Sequence, residues 1–488
     1  MNKPMRRVAI FCGLLILALL ARVNWVQFVQ ADELQNDANN RRTIIERYAQ
    51  PRGDIIVDGE PVTGSVETDD DDFTYERTYT DGELWAPVTG FTSLFRSATM
   101  LEGVEDEFLT GDDDRLFFNN TIDMLTGEDP RGGNVVTTLN ADAQRAAYEG
   151  LGDAKGAVAA IDPRTGAVLA LVSTPSFDPN TVTGNSEEAS EAFAALSEDP
   201  DEPTLNRALR QTYPPGSTFK LVTATGALEN GLLPDVDEPT DTPDPYYLPG
   251  TESEVTNLTN DRCENATLRI ALVDSCNTVF AKLSDELGNE QMIETAESFG
   301  YNQGEDLTIP IRVQESVYPE DNAPQNAQAG FGQASNRATP LQMAMVAAAI
   351  ANNGTLMEPY MVDKLVAPNL NVIEQHEPQE FSRPMSPETA QQMQSAMESV
   401  VSDGPSHDAA SIDGVTVGGK TGTAQHGEEN SENPYAWFVS YAMVDDESPV
   451  AVAVVVEDAG VERDAISGSG LAAPIAHDVM EAVLGSQE

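Results

Sequence analysis

Cations are scarce in this chain of 488 residues, where 27 lysines and arginines stand against 81 aspartates and glutamates for a formal charge of -54. A field of that sign repels phosphate backbones, whose binding depends on Lys and Arg displacing condensed counterions, so nucleic acid is excluded as an expected partner. The acidic runs, such as Asp69 to Asp72 and Glu105 to Glu107, read as solvated surface. Histidine is limited to His376, His407, His426 and His477, none in a recognisable Ser-His-Asp context, which disfavours that kind of hydrolase. Only His426 stands where it could line a cleft. Three cysteines occur, Cys12, Cys263 and Cys276, and their spacing fits no zinc pattern. In an oxidising compartment Cys263 and Cys276 either pair, adding roughly 3 kcal/mol on the chain-entropy model, or stay apart, and the sequence leaves both open. Past residue 30 no apolar run is long enough to span a bilayer, and no internal repeat is visible. No further module is expected after the last helix.

Lys3, Arg6 and Arg7 precede an apolar run from Val8 to Ala21, followed by Arg22 and a second apolar stretch from Val23 to Val29. Basic residues ahead of an apolar segment mark a start that stays in the cytoplasm while the following chain is exported. The uninterrupted run is shorter than the roughly 20 residues a span needs, and reaches that length when Arg22 snorkels and Trp25 and Phe28 are included. No small-x-small cleavage site precedes the polar segment. Residues 1–31 are therefore expected to stay as a cytoplasmic stub and single-pass anchor, with the rest outside the cytoplasm. Residues 32–152 are polar and weakly periodic, with short strand-like pieces such as Asp54 to Val57, and predict a small mixed pedestal. Residues 153–488 are better patterned. Gly156 to Ile161 and Gly166 to Val172 form a hairpin signal around Asp162-Pro163-Arg164-Thr165. Val415 to Ala424, Tyr435 to Ala442 and Val450 to Val456 predict three more strands, and Ala472 to Leu484 a closing helix. Helix-like stretches lie between, at 217–229, 267–287, 340–352 and 387–401. Strands from both ends of a domain most easily share one antiparallel sheet, so the expected class is α+β.

Two of the six lysines stand in chemically suggestive places. Ser217-Thr218-Phe219-Lys220 follows Tyr213-Pro214-Pro215-Gly216, a loop expected to stop at the start of a helix. Lys220, three residues on, shares a helical face with Ser217, so its amine is expected to reach the hydroxyl. A serine becomes a good nucleophile when a base takes its proton, and lysine is such a base only if burial or a nearby cation lowers its pKa. Helix N-terminal N–H groups would stabilise an oxyanion. Ser-x-x-Lys alone is weak and reads equally well as a cap followed by a surface lysine. Its companions decide: Lys420-Thr421-Gly422 lies inside a strand candidate, and Ser275-Cys276-Asn277 lies between the other two motifs. Ser431-Glu432-Asn433 repeats Ser-x-Asn by text but falls in a polar loop, read as a hairpin tip. Gly330-Phe331-Gly332 reads as a turn, since no Gly-Lys-Ser/Thr follows it.

With that ordered triplet the chain resembles the class B penicillin-binding proteins, and within them the short actinobacterial type. The likeness extends to Asn40-Arg41-Arg42, Arg52-Gly53-Asp54-Ile55-Ile56, Ala86 to Phe91, Asp129-Pro130-Arg131-Gly132-Gly133-Asn134, Gly332-Gln333-Ala334-Ser335, Thr339 to Gln342 and Lys420 to Gln425. It implies a five-stranded antiparallel sheet with flanking helices and an all-helical subdomain, on a pedestal that resembles a dimerisation domain. It further implies a peptidoglycan D,D-transpeptidase acylated by β-lactams. Ser217 would attack the carbonyl between the two terminal D-alanines of a stem peptide, with Lys220 as proton acceptor. The backbone N–H groups of Ser217 and Thr423 would form the oxyanion hole, and Thr421 and Thr423 would hold the donor carboxylate. Gly422 would let substrate lie along the strand edge. Lys420 would keep Lys220 neutral, Ser275 would relay a proton to the leaving amine, and Asn277 would bind the peptide amide. An amine from a neighbouring stem would complete the cross-link. No metal or cofactor is implied, and the expected partner is a polytopic SEDS-type glycosyltransferase.

Four rivals share part of this pattern. Glu105-Asp106-Glu107-Phe108 superficially matches the acidic motif of a glycosyltransferase domain, but its spacing is wrong and the pedestal is too short. A β-lactamase or D,D-carboxypeptidase shares the nucleophile and admits water; the anchor, the pedestal and the lack of a deacylating glutamate motif favour transpeptidation. A noncatalytic scaffold or β-lactam sensor docking a polymerase is disfavoured by intact Ser217, Lys220 and Lys420.

Overall fold

The structure is a computed structural model that describes residues 3–30, 34, 45, 49–69, 73–93, 97–117, 131–184, 186–257, 262–304, 307–427 and 430–486. The Asn40-Arg41-Arg42 motif, Asp129-Pro130 and Asp70 to Asp72 lie outside the described residues. The N-terminal segment is one unbroken helix, Lys3–Phe28, with no buried residue. At 1.5 Å per residue its 26 residues run about 39 Å, more than a hydrocarbon core of about 30 Å. Arg22 reaches towards the helix end, where its guanidinium donates to Gln30 Oε1 at 2.9 Å.

The pedestal is built partly from strands that come much later in the chain. Its five-stranded sheet runs, in spatial order, Val372–Gln375, Val362–Val366, Asn134–Thr137, Ile55–Val57 and Glu60–Pro61. Ile55–Val57 pairs in parallel with Asn134–Thr137, and the remaining pairs are antiparallel. No strand was expected at 362–375. Segments that short carry too little periodicity to announce themselves, and Val362–Val366, which joins the pair to the sheet, meets Asn134–Thr137 from more than 200 residues away.

A second antiparallel sheet runs Thr416–Ala424, Tyr435–Val444, Glu447–Asp458, Lys155–Ile161, Val168–Thr174. Strands from the two ends of the domain meet where Glu447–Asp458 pairs with Lys155–Ile161. Both faces are covered, which explains the near-continuous apolar runs. Ala157, Ala159 and Ile161 join the core that includes the wholly buried helix Pro340–Ala351. The alternate residues Val158 and Ala160 pack with Ala143 and Ala147 of helix Ala141–Leu151 and with Ala476 and Val479 of helix Ala473–Gly485. Helix Ala141–Leu151 thus packs on this sheet although it precedes residue 152.

Beyond the sheet edge lie further helices, among them Lys220–Glu229, Leu268–Val273, Asn277–Ser298 and Pro387–Ser402. The stretch expected as one helix over 267–287 breaks at Asp274 to Cys276, because Ser275 turns into the left-handed region at φ 57°. Cys263 and Cys276 are disulfide-bonded.

Inside the pedestal Glu102 is fully buried between two guanidiniums, accepting from Arg52 Nε and Arg77 Nε at 2.6 Å each. Arg52 also pairs with Asp106 at 2.8 Å. Burial is the largest single influence on Glu102 and would raise its pKa, but Arg77 and Arg52 together outweigh it and hold the carboxyl below its ordinary range. Such a group stabilises the fold above the unfolded carboxyl's pKa and loses that contribution as pH falls through the folded value. Glu102→Gln should therefore destabilise the pedestal by about 3–5 kcal/mol near neutrality, the range for breaking a buried pair, and by less in acid. Denaturant unfolding at several pH values measures this; a deficit that stays constant as pH falls refutes it.

Candidate active site

Ser217 stands where a tight turn enters a helix. The approach is fixed by reciprocal backbone hydrogen bonds, Tyr213 N to Ala338 O at 2.9 Å and Ala338 N to Tyr213 O at 2.8 Å. The Trp437 indole N–H donates to Pro214 O at 3.1 Å, tying the turn to the second strand of the sheet. Gly216 takes φ 55° and its N–H donates to Gly332 O at 3.0 Å. A 3₁₀ turn over Gly216–Phe219 then leads into helix Lys220–Glu229, where a single α-helix from Ser217 was expected. The Thr218 hydroxyl donates to Pro215 O at 2.7 Å. Ser217 is half-buried, and its hydroxyl bonds to no described residue.

Lys220 is completely buried, and its amine is directed elsewhere than the spacing suggested. Nζ donates to Ser275 O at 2.6 Å and to Asn277 Oδ1 at 2.7 Å, and lies 3.1 Å from Ser275 Oγ. Lys420, equally buried, places its own Nζ 3.1 Å from the same Ser275 hydroxyl and 3.1 Å from Thr421 O. One hydroxyl therefore stands between two lysine nitrogens. Among the described residues neither nitrogen has a carboxylate partner, so no opposite charge offsets the cost of burying the ammonium groups. Burial, and secondly the charge of Lys420, hold Lys220 well below the ordinary lysine range. Burial brings Lys420 down to about 7. A neutral amine beside a hydroxyl that can accept from one nitrogen and donate to the other is an arrangement able to move a proton.

Lys420, Thr421, Gly422 and Thr423 lie on Thr416–Ala424, the edge strand of the sheet. Thr421 and Thr423, two residues apart and so on one face, are half-buried. A Cβ on Gly422 would stand 3.0 Å from Thr218 Cγ2, 3.0 Å from Trp437 Cβ and 3.3 Å from Pro215 O. The nucleophile turn thus packs directly on the strand, a reason for glycine beyond access for a substrate. Gly332 is more constrained: at φ 80° its Cβ would fall 2.0 Å from Gly216 O. The run read as a plain turn therefore props up the residue before Ser217, a role that only its Gly332-Gln333-Ala334-Ser335 motif hinted at.

Ser431-Glu432-Asn433 is exposed in the loop between Thr416–Ala424 and Tyr435–Val444, away from the lysine pair. His426 stacks on Tyr435 with centroids 3.9 Å apart, His376 on Tyr360 at 3.7 Å, and His477 contacts Asp478. Among the described residues no three His, Cys, Asp or Glu side chains gather to hold a metal. Sequence reasoning placed Ser275 in the site but missed its left-handed backbone, which turns both its carbonyl and its hydroxyl onto Lys220.

Known proteins resemble this chain along most of its length. A family model described as the penicillin binding protein transpeptidase domain matches residues 156–481, and one described as the penicillin binding protein A dimerisation domain matches 52–135. The peptidoglycan D,D-transpeptidase PbpA of Mycolicibacterium smegmatis is 39% identical, over 99% of each chain. That of Mycobacterium tuberculosis is also 39% identical over 99% of each. The structure of penicillin-binding protein A from M. tuberculosis as an imipenem acyl-enzyme complex aligns with TM-score 0.83 and 39% identity, over 90% of this chain and 100% of that one. Its penicillin G acyl-enzyme complex aligns with TM-score 0.82 and 38% identity, over 89% and 100%.

Removing the charge of Lys420 should relieve the repulsion on its neighbour. In Lys420→Met the Lys220 pKa should rise towards the ordinary lysine value, followed by NMR titration of isotope-labelled lysines, which six residues make tractable. An unchanged Lys220 titration refutes the coupling.

Proposed function

We propose, starting from the fact that this chain belongs to the class B penicillin-binding proteins of the PbpA type, that it is a peptidoglycan D,D-transpeptidase working through a serine acyl-enzyme that β-lactams trap. One observation carries the reading beyond family membership: two fully buried lysine nitrogens, Lys220 one turn beyond Ser217 and Lys420 on the edge strand, share the Ser275 hydroxyl with no acid to balance them. That is how a protein makes lysine a base near neutral pH.

In this reading neutral Lys220 takes the Ser217 proton as the serine oxygen attacks the carbonyl joining the two terminal D-alanines of a stem peptide. The backbone N–H groups of Ser217 and Thr423 stabilise the oxyanion, and donors aimed at developing charge in a dry site are worth far more than in water. Thr421 and Thr423 hold the donor carboxylate, which Lys420 attracts. Ser275 then passes a proton to the departing amine, releasing D-alanine and leaving the acyl group on Ser217. Asn277, whose Oδ1 accepts from Lys220, holds the peptide amide through its side chain. The amine of a second stem peptide attacks the ester, restoring Ser217 and closing the cross-link. A β-lactam enters the same first step, but its leaving amine stays tethered.

The unburied helix Lys3–Phe28 serves as a single-pass anchor with residues 32–152 and 153–488, pedestal and transpeptidase domain, outside the cytoplasm. Held at the membrane, the pedestal docks a polytopic SEDS-type glycosyltransferase, which supplies the glycan strands to be cross-linked.

Incubation with penicillin followed by intact-mass measurement should show a stable adduct on the wild type and none on Ser217→Ala. Rapid drug turnover would instead support a β-lactamase, and no adduct on the wild type would sink the reading. Co-purification with the polymerase should be lost when residues 1–133 are removed and survive Ser217→Ala; retention after the deletion refutes the docking role.

A further inference from the structure

The pair Cys263 and Cys276 has no part in the chemistry above, yet Cys276 is the middle residue of Ser275-Cys276-Asn277. Both cysteines are fully buried. Their neighbours are cross-linked as well: Arg262 Nε contacts Asp274 Oδ2 at 3.0 Å. Ser275 is thus bracketed on both sides, Asp274 tied to Arg262 and Cys276 to Cys263. The far end of the bracket is anchored to the same helix that Asn277 opens. Thr240 N and Oγ1 donate to Ala266 O at 3.1 and 2.7 Å, and Lys282 Nζ, on helix Asn277–Ser298, donates to Thr240 O at 3.0 Å.

What the bracket encloses is a residue in an unfavourable backbone state. A non-glycine residue at φ 57° is strained and persists only where its surroundings over-determine it. In that conformation the Ser275 carbonyl and hydroxyl both reach Lys220, and the hydroxyl also reaches Lys420. An extended Ser275 would withdraw one group or the other, since φ sets how carbonyl and side chain diverge from the chain.

We propose that the Cys263–Cys276 disulfide, with Arg262–Asp274 beside it, is a positioning device for acylation: it holds Ser275 in the left-handed conformation that joins Lys220 to Lys420, so that a chain with open thiols is a poor transpeptidase. The proposal rests on the transpeptidase reading and adds that catalytic competence follows disulfide formation, as suits a domain that works in an oxidising compartment. Cys263 and Cys276 touch neither substrate nor the reacting atoms in it; they act through Ser275.

The test measures acylation by penicillin against pH in the closed wild type, in Cys263→Ala/Cys276→Ala, and in wild type opened by a dithiol. In that opening the dithiol is oxidised to its cyclic disulfide while the two cysteines take up two electrons and two protons. Acylation in both open forms should slow by roughly tenfold or more, towards the roughly hundredfold that a misplacement of about 1 Å can cost. Its onset should also move to higher pH. The titratable group whose charge acts on Lys220 is Lys420, while Ser275, Asn277 and the Phe280 ring complete its surroundings, so a loosened Ser275 turn hydrates the amine and eases its protonation. Re-oxidation of the dithiol-treated protein should restore both rate and onset, and Arg262→Gln should shift both in the same direction by less. Circular dichroism separates these effects from unfolding; if the double variant does not fold, the reversible dithiol arm decides. Equal rates and equal onset in closed and open protein overturn the positioning role and leave the transpeptidase reading standing, whereas a wild type that penicillin never acylates overturns both.

Discussion

Two ammonium groups taken out of water with no carboxylate to receive them cannot both keep their charge at ordinary cost, and the rest of the site follows from that constraint. Lys220 and Lys420 come from a helix and an edge strand separated by 200 residues, and both nitrogens meet at the Ser275 hydroxyl. A hydroxyl is well suited to this place, since it donates once and accepts twice and can follow a proton as it shifts between amines. A carboxylate there would restore both lysines to their charged forms and abolish the base. The absence of acid around this pair, among the described residues of so acidic a chain, is the electrostatic feature that distinguishes the site.

The acidic exterior and the cationic interior coexist because screening separates them. At physiological ionic strength the Debye length is about 8 Å, so surface carboxylates beyond that distance contribute little to a buried nitrogen. The same screening lets an anionic stem peptide approach a molecule of net charge -54, and the low dielectric near the strand edge then strengthens the local attraction. The pedestal inverts the arrangement. There a buried carboxylate, Glu102, is held by two guanidiniums, and the pedestal sheet is completed by strands 362–366 and 372–375 drawn from the later part of the chain. Pedestal and transpeptidase domain are consequently joined by backbone hydrogen bonds as well as by the chain between them.

Close packing sets the turn that presents Ser217. Gly332 supports Gly216, Trp437 holds Pro214, and Gly422 admits Thr218. Each contact joins a different part of the chain to the nucleophile turn, so small errors in any of them would be transmitted to the hydroxyl. That hydroxyl bonds to no described residue, and Lys220 is engaged with Ser275 and Asn277. In this state the Lys220 amine is joined to Ser275 and Asn277 rather than to Ser217.

Much of the molecule was legible in the residues themselves. Alternation and apolar runs announced the five strands of the large sheet, the first apolar run announced the N-terminal helix, and three short motifs announced the family, because each of these signals is carried by neighbours in sequence. What local spacing could not convey was which side chain Lys220 would meet, since i and i+3 share a helical face but burial and distant acceptors choose the rotamer. The pairing of Cys263 with Cys276, the left-handed turn at Ser275, the late strands of the pedestal and the attachment of helix Ala141–Leu151 to the large sheet were likewise decided only by tertiary structure. Each depends on segments that meet after the chain has folded, and the energy that selects them, packing density and the cost of burying unpaired polar groups, belongs to the assembled core and to no single stretch of sequence.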